Sequence, residues 1–299
     1  MAFHVCRKIF LALISSSLYW VSFSLASHAD TIKFLSWNVS NYVPSAGYSY
    51  RDEIGTWRTD TDLLAIRKIL ASGYDAILLQ EAVSDLAVRS TVGPSYSIYA
   101  TEEYRRLVSA PPQLEQLVQP FVAVLETADL RVTNTESWRL DNAVSGAHLT
   151  RDILYFELAW LQHRVGVVHA HLKSGCPITV ISTRLECQLM TEQFQKIEAV
   201  VEKRVDAVDA LLVIGDFNRE LMNPRLLQWR NEHVPWAKNI IPIPPCKLRP
   251  SINPIDFVLV AKIANGLKFD RLTVDLGDVE LLLSQRISDH CPFAFQLSG

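Results

Sequence analysis

The chain has 299 residues, 49% of them hydrophobic, and a formal net charge of −3. This length and composition suffice for the core of one large α/β domain. The mildly acidic balance excludes a protein that holds nucleic acid tightly through counterion release, so nucleic acid is expected only as a transient substrate.

The first 29 residues have the three-part pattern of a secretory signal. Arg7 and Lys8 precede an apolar run over residues 9–25, and small residues lead up to Ala29. We expect cleavage after Ala29, which changes the net charge to about −5, and a mature, secreted or periplasmic domain over residues 30–299. A retained membrane anchor is the alternative, and no later stretch is apolar enough to span a bilayer.

Nine apolar runs, most of them rich in β-branched and aromatic residues and bounded by turn-forming residues, predict strands. They begin at Thr31, Tyr74, Phe121, Ile153, Val165, Ala210, Ile255, Arg271 and Cys291. Apolar residues at helical spacing predict two helices, over residues 59–72 and 183–205, that cover a sheet from outside. The proline-rich residues 241–250 predict one long loop.

The number of strands relative to helices predicts two packed sheets with helices outside them. A doubly wound parallel sheet would need a crossover helix after nearly every strand. The segment "ELAWLQHRVGVV" instead indicates two strands joined by a tight turn, and therefore antiparallel. We therefore expect mixed sheets in one domain.

Four cysteines remain in the mature chain: Cys176, Cys187, Cys246 and Cys291. An even number in an exported chain predicts two disulfides, for which three pairings exist. We favour Cys176–Cys187 and Cys246–Cys291, whereas four free thiols would require a reducing compartment. No close C-x-x-C pair indicates a metal site.

Polar side chains stand at the ends of the predicted strands, where the apolar runs do not explain them. They are Asn38, Gln80, Glu81, His169, His171, Lys173, Asp216, Asn218, Asp256, Asp289 and His290. In "GDFN", Asp216 and Asn218 should project to one side of the strand while Phe217 turns into the core. A buried, unpaired Asp256 would be costly, so we expect it to have a partner.

Each of these residues also has an ordinary structural explanation. Asn38 could form a turn or belong to a glycosylation sequon, and Glu81 could be the first-turn acid of a helix. His169 could be a core histidine, and Asp289 could cap a turn. All of these explanations would have to hold at once, so together the residues favour a functional site.

The ordered series WNV, QE, HLKSG, GDFN, ID and SDHCP resembles the endonuclease/exonuclease/phosphatase superfamily, the DNase I-like fold, over residues 31–297. The resemblance implies a four-layer α/β/β/α sandwich of two mixed, largely antiparallel sheets. It also implies a divalent-metal phosphoesterase site at one end of the paired sheets. The implied roles are metal binding by Asn38, Glu81 and Asp289, water activation by Asp216 and Asn218, phosphate contact by His171, His290 and Arg151, and orientation of His290 by Asp256.

The chemistry of phosphodiester hydrolysis requires the same kinds of residue. Mg²⁺, with Mn²⁺ or Ca²⁺ as alternatives, prefers carboxylate and amide oxygens. Metal, histidine and arginine neutralise the charge that develops on the phosphate, and a carboxylate positions the attacking water. A carboxylate beside His290 should raise the pKa of this histidine.

The favoured function is an exported, monomeric nuclease that does not insert stably into a membrane. The alternative is a phosphomonoesterase or a lipid phosphodiesterase, for which Trp57, Trp138 and Trp160 are candidate lipid contacts. A binding module that has lost catalysis is a third hypothesis, and metal-dependent hydrolysis would exclude it.

Two features depart from the family pattern. Phe257 follows Asp256, where many relatives place His or Tyr, and residues 100–120 match no motif. An acidic partner for His171 is therefore not identified. The candidates are Glu102, Glu103 and Glu126.

Overall fold

The computed structural model describes residues 30–44, 49–51, 56–108, 119–139, 151–176, 184–243, 254–274, 276 and 287–299. The predicted signal over residues 1–29 lies outside the described residues, as do Cys246 and residues 244–250 of the predicted loop. Residues 31–299 belong to one unit.

Two six-stranded sheets dominate the fold. The first contains β1 (Thr31–Tyr42), β4 (Ala76–Ala82), β5 (Ser97–Ala100), β6 (Gln119–Val124), β13 (Lys268–Leu272) and β14 (Phe293–Ser298), in the order β13-β14-β1-β4-β6-β5. The second contains β7 (Leu130–Trp138), β8 (Ile153–Trp160), β9 (His163–His171), β10 (Ala210–Asp216), β11 (Asn239–Pro242) and β12 (Asp256–Ile263), in the order β11-β12-β10-β9-β8-β7. A separate short pair consists of β2 (Ser49–Arg51) and β3 (Thr56–Trp57).

The described residues also form five α-helices and two short 3₁₀ turns. The helices are α1 (Asp60–Leu70), α2 (Asp85–Val92), α3 (Glu102–Val108), α4 (Leu185–Arg204) and α5 (Leu227–His233), and the turns cover Val205–Ala207 and Pro224–Leu226. Thr59 caps the start of α1: its side chain accepts from the Asp62 amide, while the Asp62 side chain accepts from the Thr59 amide. This reciprocal pair satisfies two backbone donors that the first helical turn leaves free.

Three apolar clusters separate four layers, because side chains alternate along each strand. Phe34 of the first sheet and Phe156 of the second belong to the cluster between the sheets. Leu35 faces the other way and packs with Ile66 of α1. Phe194 of α4 packs in the third cluster, on the outer face of the second sheet. The predicted α/β/β/α sandwich is therefore confirmed.

The sheets are mixed, as predicted. The strand pairs β1–β4 and β9–β10 are parallel, and the other pairs are antiparallel. The tight connection between β8 and β9 is also confirmed, since Trp160 pairs with His163. No helix among the described residues is long and apolar enough to cross a membrane.

The two predicted helices are confirmed as α1 and α4, but several elements were missed. The edge strand β7 alternates exposed and half-buried residues, so it has no continuous apolar run. The short elements α2, α3, β5 and β11 were also not predicted. The strand predicted from Arg271 was placed too late, because β13 covers Lys268–Leu272.

The predicted Cys176–Cys187 disulfide is present and closes a short loop with a sequence separation of 11. It ties the segment after β9 to the first turn of α4. Cys291 is also disulfide-bonded, while Cys246, its predicted partner, lies outside the described residues.

Gly215 is required by the close approach of β9 to β10. Its φ is +145°, and a Cβ at this position would overlap the carbonyl oxygen of Ala170 on the neighbouring strand. The glycine in "GDFN" therefore lets the two strands meet one residue before Asp216.

We predict that Gly215→Ala lowers the free energy of unfolding by more than about 3 kcal/mol, because it adds steric overlap to backbone strain. Gly73→Ala is the matched control: Gly73 also has a positive φ, +79°, but no atom lies within 4 Å of its added Cβ. It should lose only about 1–2 kcal/mol. Urea unfolding measures both values, and equal losses would contradict the close approach at Gly215.

Candidate active site

The predicted site residues meet at one end of the paired sheets. In the first sheet, Asn38 of β1 pairs with Gln80 of β4. In the second sheet, Asp216 of β10 pairs with His171 on one side and with Asp256 on the other. The central strands of both sheets therefore end in polar residues at the same edge.

Asp216 lies at the centre of this arrangement and is only 1% exposed. Its Oδ2 accepts a hydrogen bond from Asn38 Nδ2 at 3.1 Å. The same oxygen is 3.5 Å from His171 Nε2 and 3.6 Å from His290 Nε2. The other oxygen, Oδ1, accepts from the Asn218 amide at 2.8 Å. One carboxylate thus contacts residues from three other segments and one from its own.

Glu81 forms the second acidic position, on the strand facing Asp216. Its Oε1 accepts from Asn38 Nδ2 at 3.3 Å and lies 3.5 Å from His171 Nε2. Arg151 Nη2 lies 3.8 Å from the same oxygen. The backbone of Glu81 has a φ of +60°, which is unusual for a residue with a side chain and is typical of functional sites.

The C-terminal segment supplies Asp289 and His290. His290 Nδ1 is hydrogen-bonded to Asp256 Oδ2 at 2.7 Å, and its Nε2 lies 3.9 Å from Asp289 Oδ1. Asp289 Oδ1 also accepts from the Ser40 hydroxyl at 3.1 Å. Asp256 thus has the partner that its position required, and His290 is held between two acids.

Asn218 lies in the site but does not point alongside Asp216. The strand β10 ends at Asp216, and Asn218 has a φ of +49°. Its Nδ2 therefore donates to the Leu172 carbonyl at 3.0 Å, and only its backbone amide contacts Asp216. The simple alternation of a strand does not extend past the strand end.

The environment changes the protonation of the central groups. Burial raises the pKa of Asp216 to about 7, against the lowering effect of the His290 charge. Burial would lower the pKa of His290, but the charges of Asp256 and Asp216 outweigh it and raise this pKa to about 10. Burial, with the charges of Arg151 and His290, lowers the pKa of His171 well below its ordinary value. At neutral pH, His290 is therefore a cation and His171 is neutral.

The donor atoms fit a hard divalent cation. Glu81, Asp216 and Asp289 bring three carboxylates to this end of the sheets, and carboxylate oxygens are what Mg²⁺ prefers. Asn38 faces Glu81 and Asp216 with its nitrogen, while its Oδ1 accepts from the Ser40 amide at 3.0 Å. A ligand role for Asn38 would use this same oxygen.

Two buried polar residues below the site were not assigned a role from the sequence. His169 and Gln80 are both fully buried, and His169 Nε2 lies 2.5 Å from Gln80 Nε2. Burial lowers the pKa of His169 to about 3, so the ring is neutral and can accept this bond. The Gln80–His169 pair links the two sheets next to Glu81 and His171, which lie nearer the ends of the same strands. The spacing of His169 and His171 on one strand face was the only sequence signal for it.

In the described part of the chain, no acidic residue is hydrogen-bonded to His171 Nδ1, the ring nitrogen opposite the one that faces Glu81 and Asp216. Its Nδ1 is buried and has no hydrogen-bond partner in the described part of the chain. Glu103 pairs with Arg106, and Glu126 accepts from the Ser97 hydroxyl and the Val132 amide. The acids that His171 faces are instead Glu81 and Asp216.

We predict that Asp256→Asn lowers the pKa of His290 from about 10 towards its ordinary value, because the substitution removes the charge that raises it most. An NMR titration of the His290 ring in the metal-free protein measures this change. An unchanged His290 titration would contradict the Asp256 contact.

No protein-family model and no curated protein matches the sequence of this chain. A conserved protein of unknown function from Enterococcus faecalis superposes with a TM-score of 0.58 at 14% identity, over 90% of this chain and 100% of the other. Beta toxin from Staphylococcus aureus gives 0.56 at 13% identity, over 90% and 99% of the two chains. TDP2 from D. rerio, solved with a single strand DNA product, gives 0.52 at 13% identity, over 90% and 99%. With the strand order described above, these likenesses show that the chain has the DNase I-like fold that its motifs predicted.

Proposed function

We propose that this protein is a metal-dependent phosphoesterase, and more specifically an exported nuclease that hydrolyses phosphodiester bonds. The observation that carries the proposal is the meeting of His171, His290 and Asn38 at the Asp216 carboxylate. An acid whose pKa is about 7, beside a histidine that is protonated at neutral pH, is suited to positioning water next to a phosphate.

In the proposed mechanism the side-chain oxygens of Glu81, Asp289 and Asn38 would hold the cation, and the Asn38 nitrogen orients Glu81 and Asp216. When bound, a divalent cation would neutralise charge on the phosphate and would lower the pKa of the attacking water. One oxygen or nitrogen from each of Asp216, Asp256 and His290 also lies within 4.8 Å of the others, which is a second arrangement that could accept a cation. We favour Glu81 and Asp289, because a hard cation prefers carboxylate oxygens to a histidine nitrogen.

The histidines and Asp216 have separate roles in this proposal. His290, kept protonated by Asp256, donates from Nε2 to a phosphate oxygen and stabilises developing negative charge. Asp216 positions the attacking water and accepts its proton. His171 is neutral and donates from Nε2 towards the acids, and Arg151 supplies positive charge beside Glu81.

Two observations support a nucleic-acid substrate over a lipid. Trp160 is only 3% exposed and belongs to the core between the sheets. Trp138 lies beneath Lys203, whose Nζ is 4.8 Å from the ring centre. These two tryptophans are thus not free to enter a lipid surface, while the Trp57 side chain lies outside the described residues. The TDP2 structure with a DNA product provides a precedent for nucleic acid on this fold.

Export is proposed from the signal-like first 29 residues and is supported by the Cys176–Cys187 disulfide. Disulfides persist in oxidising compartments and are rare in the cytosol. A secreted or periplasmic location follows from this proposal. The localisation of the full-length chain in its host, with and without residues 1–29, would test it.

We predict that Asp216→Asn and His290→Ala each lower kcat/KM for a phosphodiester by about 10²–10⁴-fold, because each removes a positioned acid–base group. Asp270→Asn on the exposed edge strand β13 is the control and should retain parental activity. Circular dichroism verifies that each variant is folded. Parental turnover by a folded Asp216 or His290 variant would end the assignment.

We expect the purified mature protein to cleave DNA or RNA in the presence of Mg²⁺ and to stop when EDTA removes the metal. Plasmid DNA, RNA, sphingomyelin and inositol phosphates should be offered side by side. Cleavage of only the lipid or the inositol phosphates would contradict the nuclease assignment and favour the alternative phosphoesterase. The absence of metal-dependent hydrolysis with all four would favour a binding module.

A further inference from the structure

Arg58 is a buried arginine that no motif in the sequence identifies. It directly precedes Thr59, the capping residue of α1, and its relative exposure is 1%. Arginine is almost never fully buried unless its donors are satisfied. Strong contacts therefore set the position of Arg58, and the segments that it contacts indicate its role.

The Arg58 guanidinium binds backbone carbonyls from two distant segments. Its Nη2 lies 2.6 Å from the Val39 oxygen, 2.7 Å from the Ser40 oxygen and 2.5 Å from the Ile287 oxygen. Its Nη1 donates to the Asn41 oxygen at 3.3 Å. One planar group thus joins the end of β1 to the chain just before the "SDH" motif.

The backbone at the end of β1 explains why an arginine is needed. Ser40 and Asn41 have φ values of +47° and +54°, and the β1–β4 ladder is interrupted between Asn38 and Tyr42. The carbonyls of residues 39–41 are therefore turned away from regular sheet pairing and require other donors. A guanidinium offers five donors in a rigid plane, whereas a lysine offers a single point charge.

The two segments that Arg58 joins carry the predicted metal ligands. The Ser40 hydroxyl donates to Asp289 Oδ1 at 3.1 Å, and the Ser40 amide donates to Asn38 Oδ1 at 3.0 Å. The Ser288 hydroxyl donates to the Asn38 carbonyl at 2.7 Å and accepts from the His290 amide at 3.1 Å. Fixing Val39, Ser40 and Ile287 together therefore fixes Asn38 relative to Asp289.

We infer that Arg58 is a positioning residue for the cation site: it holds the Asn38 end of β1 against the Asp289 segment and so sets the spacing of the metal-binding oxygens. This inference rests on the proposed function. Residues that orient metal ligands typically change metal affinity by about 10–100-fold when they are replaced. A purely structural residue would change stability without this loss of affinity.

The test is calorimetric titration of the folded, mature protein with Mn²⁺ alone, so that activity is not the readout. We expect Arg58→Lys to raise the Kd for Mn²⁺ by about 10-fold or more, because lysine keeps the charge but not the planar set of donors. Ile66→Ala is the matched control: Ile66 is fully buried in α1, the helix that begins after Arg58, and contributes to packing on the outer face of the sheet. It should lose stability while keeping the parental Kd.

The outcomes separate the inference from the proposed function. If the parental protein binds no Mn²⁺, the proposed metal site itself fails. If the parental protein binds Mn²⁺ and Arg58→Lys binds it equally well, or if Arg58→Lys and Ile66→Ala weaken binding equally, only the role of Arg58 is overturned. If Arg58→Lys does not fold, Ser40→Ala tests the same linkage by removing the hydroxyl contact to Asp289, and a parental Kd there counts against it.

A second readout is chemical rescue. Added guanidinium at low millimolar concentration should partly restore the Mn²⁺ affinity of Arg58→Ala, because the substitution leaves space for the missing group beside the same carbonyls. Guanidinium should not improve Mn²⁺ binding by Ile66→Ala. A lack of rescue in folded Arg58→Ala, together with an unchanged Kd in Arg58→Lys, would remove the support for the inference.

Discussion

The buried carboxylate of Asp216 is the constraint on which the site depends. A charge removed from water is costly unless hydrogen bonds and an opposite charge compensate it. Here the compensation comes from the Asn38 side chain, the Asn218 amide and the His290 ring. Asn38 and His290 lie far from Asp216 in the sequence. Once Asp216 is buried, its ionised form therefore depends on the correct alignment of the sheets, which links the fold to the proposed chemistry.

The backbone near Asp216 is as specialised as the side chains. Ser40, Asn41, Glu81 and Asn218 all have positive φ values, and each lies at the end of a strand that enters the site. Such conformations cost of order 1–3 kcal/mol each and persist only when surrounding contacts hold them. The Arg58 carbonyl contacts provide such support at the end of β1. The strand ends thus turn out of the sheet in a way that brings their side chains together.

Among the described residues, those packed between the sheets are apolar except near this end. Most of the inter-sheet cluster consists of aliphatic and aromatic residues, whose packing sets a fixed separation between the sheets. The buried Gln80–His169 contact crosses the same interface one step below Glu81 and His171. Glu81 directly follows Gln80, and His171 lies two residues after His169. The apolar core and the Gln80–His169 contact therefore both help to set the distance between Glu81 and His171. Glu81 Oε1 and His171 Nε2, on opposing sheets, are thereby held 3.5 Å apart.

The sequence by itself determined the layered class of the fold and the identity of the polar residues at strand ends, because both depend on local periodicity and on short motifs such as "GDFN". It could not place β7, whose alternating half-exposed residues lack an apolar run, and it could not show that Asn218 turns away from Asp216 after the strand ends. Only the tertiary structure decided which groups touch. The Asn38–Asp216 contact joins residues 178 positions apart, and Arg58 binds backbone carbonyls, which carry no side-chain signature in a sequence.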